Sequence, residues 1–305
     1  MKITRLNHYG TVCVSGADAD NFLQRQFTSD ICEITSERGG ISAYLNPKGR
    51  ILANFIIFRK DDSFYLILSA DLVESFSDRL RKFVFRDKVN ISIQSESQIV
   101  GVLNDERMGL SDLLPDHAFH VMHDDFFTYI RVPGIPRRIA VYGDKRNFER
   151  YSGQFDESLT AQWKQADIDC MHPLINSYTT EELILQATNL DLTGAVSFTK
   201  GCYPGQEIVA RLHYKGGVNR RMFQASVPGD DRSQSGSLIY CDEVPGRQTG
   251  SVVNSVRPNE FGDKNLLVSL PLKFLGHDRL RLEDGTNLQL RLDGIPYAIP
   301  ELERN

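Results

Sequence analysis

The sequence predicts an α+β fold in two parts: a region of mixed strands and helices over residues 1–220 and a C-terminal antiparallel β-barrel over 221–305. Three observations support this. Strand and helix patterns alternate in the first third, short alternating strands follow residue 220, and 305 residues suffice for about two domains. The composition is ordinary for a globular protein, with 41% hydrophobic and 25% charged residues.

The elements of the first third can be assigned in order. Residues rich in β-formers predict strands over 41–45, 51–58 and 64–68. The sequence Asn-Pro-Lys-Gly at 46–49 predicts a turn, because proline fixes φ and glycine permits a positive φ. A helix is predicted to begin at Asp71, with one apolar face that comprises Leu72, Val73, Phe76, Leu80, Phe83 and Val84.

The C-terminal part reads as short strands separated by turns. Asp284-Gly285 is a strong hairpin signal between two of them. The predicted strands cover 222–227, 237–241, 250–256, 265–270, 280–283 and 288–292.

Charge and cysteine usage limit the class of protein. A net charge of −5 argues against a protein that is basic all over and coats nucleic acid. No apolar run approaches the length of a membrane-spanning helix, and the N-terminus lacks a signal-peptide core. The five cysteines are odd in number and have no short spacing, which favours reduced thiols and a cytoplasmic location.

Several common catalytic motifs are missing from the sequence. It contains no CxxC, GxSxG, GxxxxGK[ST] or GxGxxG pattern, which weakens the cases for a zinc or iron–sulfur ligand set, a serine hydrolase, a P-loop NTPase and a dinucleotide-binding enzyme. His117, His120 and His123 are spaced by three, which would spread them around a helix rather than converge on a metal. We therefore expect no metal site.

The segment 199–207, Thr-Lys-Gly-Cys-Tyr-Pro-Gly-Gln-Glu, is the most informative stretch. Gly201 and Gly205 permit close backbone approach to a ligand, and Pro204-Gly205 predicts a helix start. Cys202 would then precede a helix N-terminus with Lys200 beside it, and both would favour a thiolate. The alternative is that Cys202 is a small buried hydrophobe.

A basic cluster follows this segment. Such a group could bind phosphate or a chain of carboxylates, or it could be a solvated face without a ligand. Its members are Arg211, His213, Lys215, Arg220 and Arg221.

Lys-Gly-Cys-Tyr-Pro-Gly-Gln-Glu at 200–207 resembles the KGCYxGQE signature of the YgfZ family, the folate-binding relatives of the aminomethyltransferase (T-protein) of glycine cleavage. The similarity extends to 186–190, 196–198 and 209–211, and to 16–30 and 47–50 near the N-terminus. The resemblance implies ferredoxin-like layers in a ring around a central folate channel, followed by the β-barrel. It also implies a tetrahydrofolate-dependent accessory role for iron–sulfur enzymes such as the tRNA methylthiotransferase.

The resemblance also suggests roles for individual residues. Cys202 would be a reactive thiol beside the folate, and Lys200 would keep it ionised. Asp169 falls near the glutamate that binds the pterin in T-proteins, although a turn carboxylate is an equal alternative. The remaining candidates for folate contact are Gln206 and Glu207 in the signature and the cations Arg211, Lys215, Arg220 and Arg221 for the glutamyl tail.

One departure from the T-protein pattern bears on catalysis. The Asp-Asp pair of competent T-proteins falls on Ala53-Asn54, and neither residue can act as a carboxylate base. The sequence therefore favours a folate-binding accessory protein over the alternative of a one-carbon transferase. The acidic net charge and the absence of an aromatic-rich RNA-binding motif argue against a third alternative, a direct tRNA-binding module.

Overall fold

The computed structural model describes residues 3–103, 117–135, 137–257, 262–276 and 279–302. Within these ranges the strands, in chain order, are β1 Ile3–Arg5, β2 Tyr9–Ser15, β3 Gly40–Leu45, β4 Ile51–Lys60, β5 Ser63–Ser69, β6 Asn90–Ile93, β7 Ser97–Leu103, β8 Val121–His123, β9 Phe127–Val132, β10 Arg138–Asp144, β11 Arg220–Val227, β12 Leu238–Cys241, β13 Gln248–Val256, β14 Lys264–Pro271, β15 Leu280–Leu282 and β16 Gln289–Arg291.

Five α-helices connect the strands within the described ranges. They are α1 Ala19–Gln24, α2 Val73–Arg81, α3 Lys145–Phe148, α4 Leu159–Asp169 and α5 Gln206–Lys215.

The strands form three antiparallel sheets. The first has the order β3-β4-β5-β2-β6, the second β1-β7-β10-β9-β8, and the third β15-β12-β13-β14-β11-β16. The three strands predicted between residues 41 and 68 are confirmed as β3, β4 and β5. The helix predicted from Asp71 is confirmed as α2, preceded by a 3-10 turn at Ala70–Leu72.

Helix α2 is shorter than predicted at its C-terminal end. It ends at Arg81, and the chain continues in a turn in which the Val84 N–H donates to the Arg81 carbonyl. Phe83 is 38% exposed, so it does not continue the buried face of the helix. The spacing of apolar residues in the sequence predicts a longer helix, because it takes no account of where the hydrophobic core ends.

The third sheet confirms the predicted C-terminal strands. Its two edge strands, β15 and β16, follow each other in the sequence around the predicted hairpin, in which the Gly285 N–H donates to the Leu282 carbonyl. A short hairpin therefore connects opposite edges of the sheet, so the sheet must curl. The result is a curled half-barrel, which confirms the predicted antiparallel β-barrel in part.

The main hydrophobic core is shared between the sheets. It contains Phe27, Phe55 and Phe76 from the first region together with Val253 and Leu267 from the third sheet. A boundary at 220/221 remains a prediction, since residues on both sides of it contribute to one core. No helix in the described ranges combines the length and apolar character required to cross a bilayer.

Asn189 joins the third sheet to the segment before it. Its side-chain amide accepts from the Met222 N–H at 3.0 Å and donates to the Met222 carbonyl at 2.8 Å, and the residue is fully buried. Its backbone has a φ of 60°, in the left-handed region that asparagine tolerates better than most residues. The amide nitrogen also donates to the Tyr297 hydroxyl oxygen at 3.2 Å, so one side chain supplies three hydrogen bonds and an unusual backbone turn.

We expect Asn189→Ala to lower the free energy of unfolding by about 3 kcal/mol, roughly 2 from the hydrogen bonds to Met222 and Tyr297 and about 1 from the left-handed backbone. Asn189→Gly, which relieves the backbone, should lose about 2 kcal/mol. Urea denaturation measures both. Equal stability of the alanine variant and the wild type would contradict the assignment.

Candidate functional site

The signature segment enters α5 as predicted. The helix begins at Gln206 after Gly205, whose φ is 80°. A Cβ on Gly205 would lie 2.6 Å from the Asn46 carbonyl oxygen and 2.9 Å from the Gly49 Cα. The close approach that Gly205 permits is therefore to the 46–49 turn. Gly201 has no described heavy atom within 4 Å of such a Cβ.

Cys202 is exposed on the loop that leads into α5. The neighbouring Tyr203 is buried, so the loop is anchored one residue after the thiol. The sulfur is thus open to a partner or ligand rather than packed in the core.

Lys200 is buried below this loop. Its Nζ donates to the Phe27 carbonyl at 2.8 Å and to the Ser29 carbonyl at 2.6 Å. Burial lowers the pKa of Lys200 to about 8, against the opposing effect of Asp30. The hydrogen bonds of this ammonium tie the signature loop to the N-terminal region, whereas the sequence predicted a role beside Cys202.

The exposed face of α5 carries the other signature residues. Glu207, Arg211 and Lys215 are exposed and spaced by four, which places them on one face of the helix. Gln206 is half-buried at the first turn. This face, together with Cys202, forms an accessible surface that combines a thiol, a carboxylate and two cations.

The two arginines at the start of β11 are built into the fold. Arg221 is 2% exposed and pairs with Asp191 at 2.7 Å and with Glu301 at 2.9 Å. Arg220 donates to the Ser269 and Thr249 carbonyls, each at 3.0 Å. Both guanidinium groups already have acceptors inside the protein, which distinguishes them from Arg211 and Lys215.

Asn54 is buried, and both its NH2 group and its oxygen make hydrogen bonds. Its Nδ2 donates to the Pro173 carbonyl at 2.7 Å, and its Oδ1 accepts from the Ile175 N–H at 2.8 Å. A carboxylate at this position could accept but could not donate to the Pro173 carbonyl. These two hydrogen bonds explain why position 54 carries an amide rather than a carboxylate. The adjacent Ala53 is also buried.

Asn254 holds the same segment from the other side. It accepts from the Leu174 N–H at 2.9 Å and donates to the Leu174 carbonyl at 2.8 Å. We call residues 173–175 the strap. Amide side chains from the first and third sheets bond its two edges, so the strap links these sheets.

Asp169 lies at the C-terminal end of α4, just before the strap. It is exposed and accepts from Gln165 Nε2 at 2.6 Å. It lines a cavity of about 550 Å³, which lies in the range of small-molecule sites. Other lining residues supply flat or apolar walls: Ile41, Phe119, Pro133, Ile135, Pro296 and Tyr297.

A second cavity of about 320 Å³ lies on the other side of the α4 end and is lined by residues such as His8, Asp71, Lys164 and Asn254. His172 lines both cavities, and burial lowers its pKa, which favours the neutral ring. The end of α4 and the first residues after it therefore form the wall between two cavities.

A buried ion pair that the sequence analysis missed supports this wall. Arg138 is 1% exposed, contacts Asp167 Oδ1 at 2.7 Å, and donates to the Trp163 carbonyl at 2.8 Å. Burial raises the pKa of the adjacent Cys170 to about 12, so this thiol stays protonated. The sequence feature that could have indicated this ion pair is Arg138 itself, a charged residue at the start of an otherwise apolar strand.

The structure thus divides the predicted residues into groups. Asp169 faces a cavity, and neither cavity described above includes Cys202 among its lining residues. Cys202 is exposed on the loop before α5, and Gln206 is half-buried in the first turn of that helix. The exposed face of α5 carries Glu207, Arg211 and Lys215, whereas Lys200, Arg220 and Arg221 bond internally. In the described ranges, no group of three or more His, Cys, Asp or Glu side chains could hold a metal ion.

Known proteins resemble the chain over almost its full length. An uncharacterized protein of Haemophilus influenzae is 31% identical over 299 residues, which is 97% of this chain and 98% of the relative. The tRNA-modifying protein YgfZ of Photorhabdus laumondii is 27% identical, and that of Escherichia coli O7:K1 is 26% identical; each match covers 99% of this chain and 94% of the relative.

A solved structure shows the same fold. The glycine cleavage system aminomethyltransferase T from Bartonella henselae superposes with a TM-score of 0.74, over 96% of this chain and 86% of that protein, at 16% sequence identity. No family model matches the sequence.

The internal bonds of Lys200 predict a structural role for this side chain. Lys200→Met should lower the free energy of unfolding by about 1–3 kcal/mol, because two buried carbonyls lose their donor. Lys215→Met, at an exposed position on α5, is the matched control and should leave the free energy of unfolding nearly unchanged. Urea denaturation measures both variants, and equal stability of Lys200→Met and the wild type would contradict the role.

Proposed function

This chain belongs to the YgfZ family, and from that premise we propose that it binds tetrahydrofolate and supports the assembly or repair of iron–sulfur enzymes, with an indirect effect on tRNA thiomethylation. The observation that carries the proposal is the cavity beside Asp169, within a fold shared with an aminomethyltransferase. The name of the relatives, tRNA-modifying protein, is in keeping with the tRNA effect.

The cavity residues suit a pterin ring. A pterin presents a flat apolar face and an edge of amide and amine N–H groups. Phe119, Pro133 and Tyr297 offer flat surfaces, and the Asp169 carboxylate is an acceptor for such an edge. When bound, the folate would supply the carrier of a one-carbon unit; Asp169 would bind and orient its ring.

The glutamyl tail needs accessible cations. Arg220 and Arg221 would have to give up internal acceptors, and Arg221 would leave Asp191 and Glu301 buried without their partner. In this proposal, therefore, Arg211 and Lys215 are the tail-binding candidates, because both are exposed on one face of α5. Glu207 at the start of that face is better suited to a partner's cation than to the tail.

Cys202 is the residue best suited to meet a client protein. It is exposed beside α5, so a cluster, a one-carbon unit or an oxidised sulfur species on another protein could reach it. Cys202 is absent from the lining of the cavity near Asp169, so in this proposal the pterin ring lies at a site different from the thiol contact.

A one-carbon transferase is the less favoured alternative. Asn54 stands where competent relatives carry a carboxylate, and both its donor and its acceptor are taken by the strap. No proton-accepting group is thus present at that position.

We expect Asp169→Asn to weaken tetrahydrofolate binding by roughly tenfold, because a charge-assisted hydrogen bond to the pterin is lost. Asp62→Asn, which changes an exposed carboxylate outside the cavity, is the matched control. Calorimetry on both variants and the wild type measures the effect. Equal affinity of all three proteins would exclude Asp169 as the pterin residue.

In a strain that lacks the protein, Cys202→Ser should fail to restore the methylthio modification of tRNA. Cys32→Ser should restore it, since Cys32 is also exposed but lies outside the signature. Mass spectrometry of tRNA nucleosides gives the readout. Full restoration by Cys202→Ser would refute the thiol role while leaving folate binding to be judged by calorimetry.

A further inference from the structure

The C-terminal end of α2 and the segment after it present an aromatic ring to solvent. We call residues 79–88 the basic loop. Phe85 in this loop is 82% exposed, although phenylalanine usually lies inside a folded protein. Phe83 is 38% exposed beside it. Burial in the core therefore does not explain the ring at position 85.

The basic loop is also the most cationic stretch in an acidic chain. It contains five cations and one carboxylate, whereas the whole protein has a net charge of −5. The carboxylate, Asp87, is paired with Arg25 at 2.7 Å. The cations are Arg79, Arg81, Lys82, Arg86 and Lys88.

Three of these cations are available for a ligand. Lys82, Arg86 and Lys88 are exposed, and none of their side chains has an ion pair among the residues described by the structure. The other two are engaged, since Arg81 contacts Asp78 at 2.9 Å and Arg79 lies 3.9 Å from Glu181. The available charges lie on both sides of Phe85 in the sequence.

The loop is held in a defined conformation. The Lys88 N–H donates to Asp18 Oδ2 at 2.7 Å, and a Cβ on Gly16 would lie 2.1 Å from the Lys88 carbonyl oxygen. The loop therefore packs directly on the start of α1. An anchored loop presents its ring and charges with little loss of entropy on binding.

We propose that the basic loop binds single-stranded nucleic acid, with a base stacked on Phe85 and phosphates on Lys82, Arg86 and Lys88. Exposed aromatic rings interleaved with cations are the combination that binds unpaired nucleotides without regard to sequence. A protein partner would be expected to meet a wider apolar patch around the ring. The overall negative charge does not oppose the proposal, because screening limits distant charges while the local cations act at close range.

The test is the binding of a fluorescein-labelled, 12-nucleotide single-stranded RNA of mixed sequence, followed by anisotropy at several salt concentrations. With three phosphate contacts, the slope of log affinity against log salt should be about −2 for the wild type. Phe85→Ala should weaken binding by about tenfold through the loss of stacking. The double variant Lys82→Glu/Arg86→Glu should weaken binding further and flatten the slope.

Two controls separate this surface from others. Phe126→Ala removes another partly exposed ring with a nearby cation, Arg150, and should bind like the wild type. Arg211→Glu/Lys215→Glu reverses the charges on α5 and should also leave RNA binding intact. The variants of the basic loop should bind tetrahydrofolate normally, so failure of this proposal is distinguishable from failure of the folate proposal.

Several outcomes would overturn the assignment. These are no RNA binding by the wild type at low salt, equal binding by Phe85→Ala and the wild type, or loss of binding only in the α5 variant. Poly-L-glutamate that competes as strongly as RNA, with no effect of Phe85→Ala, would indicate a surface for acidic proteins instead.

Discussion

Two side-chain amides in this molecule make the backbone hydrogen bonds that a neighbouring strand would otherwise make. The strap, residues 173–175, crosses between sheets without a neighbouring strand, so its buried N–H and carbonyl groups need partners. Asn54 supplies a donor and an acceptor to one edge, and Asn254 does the same for the other. The strap follows the end of α4 by a few residues, and the residues between them line the two cavities.

This constraint links fold and chemistry. A side-chain amide carries an NH2 group that donates and an oxygen that accepts, whereas an ionised carboxylate carries acceptors only. A carboxylate at position 54 would be suited to proton transfer, whereas Asn54 can donate to the strap as well as accept from it. The same argument applies to Asn189, whose amide joins Met222 at the start of the third sheet.

Buried and exposed cations have different tasks in this structure. Arg138, Arg221 and Lys200 are buried and donate to internal carboxylates or carbonyls, so they stabilise the joins between elements. Arg211 and Lys215 are exposed and remain available for an anionic ligand. Sequence position does not distinguish Arg211 from Arg221, because both lie in one basic stretch, and only burial separates them.

Local patterns in the sequence determined the strands, the start of α2, the turn before β4 and the helix after Gly205, because periodicity, proline and glycine act on neighbouring residues. The signature at 200–207 determined the family. Tertiary structure decided that Lys200 bonds to Phe27 and Ser29, that Arg221 is internal, that α2 stops at Arg81, and that the third sheet curls into a half-barrel. These outcomes depend on contacts between residues far apart in the chain, whose distances and burial no local pattern encodes.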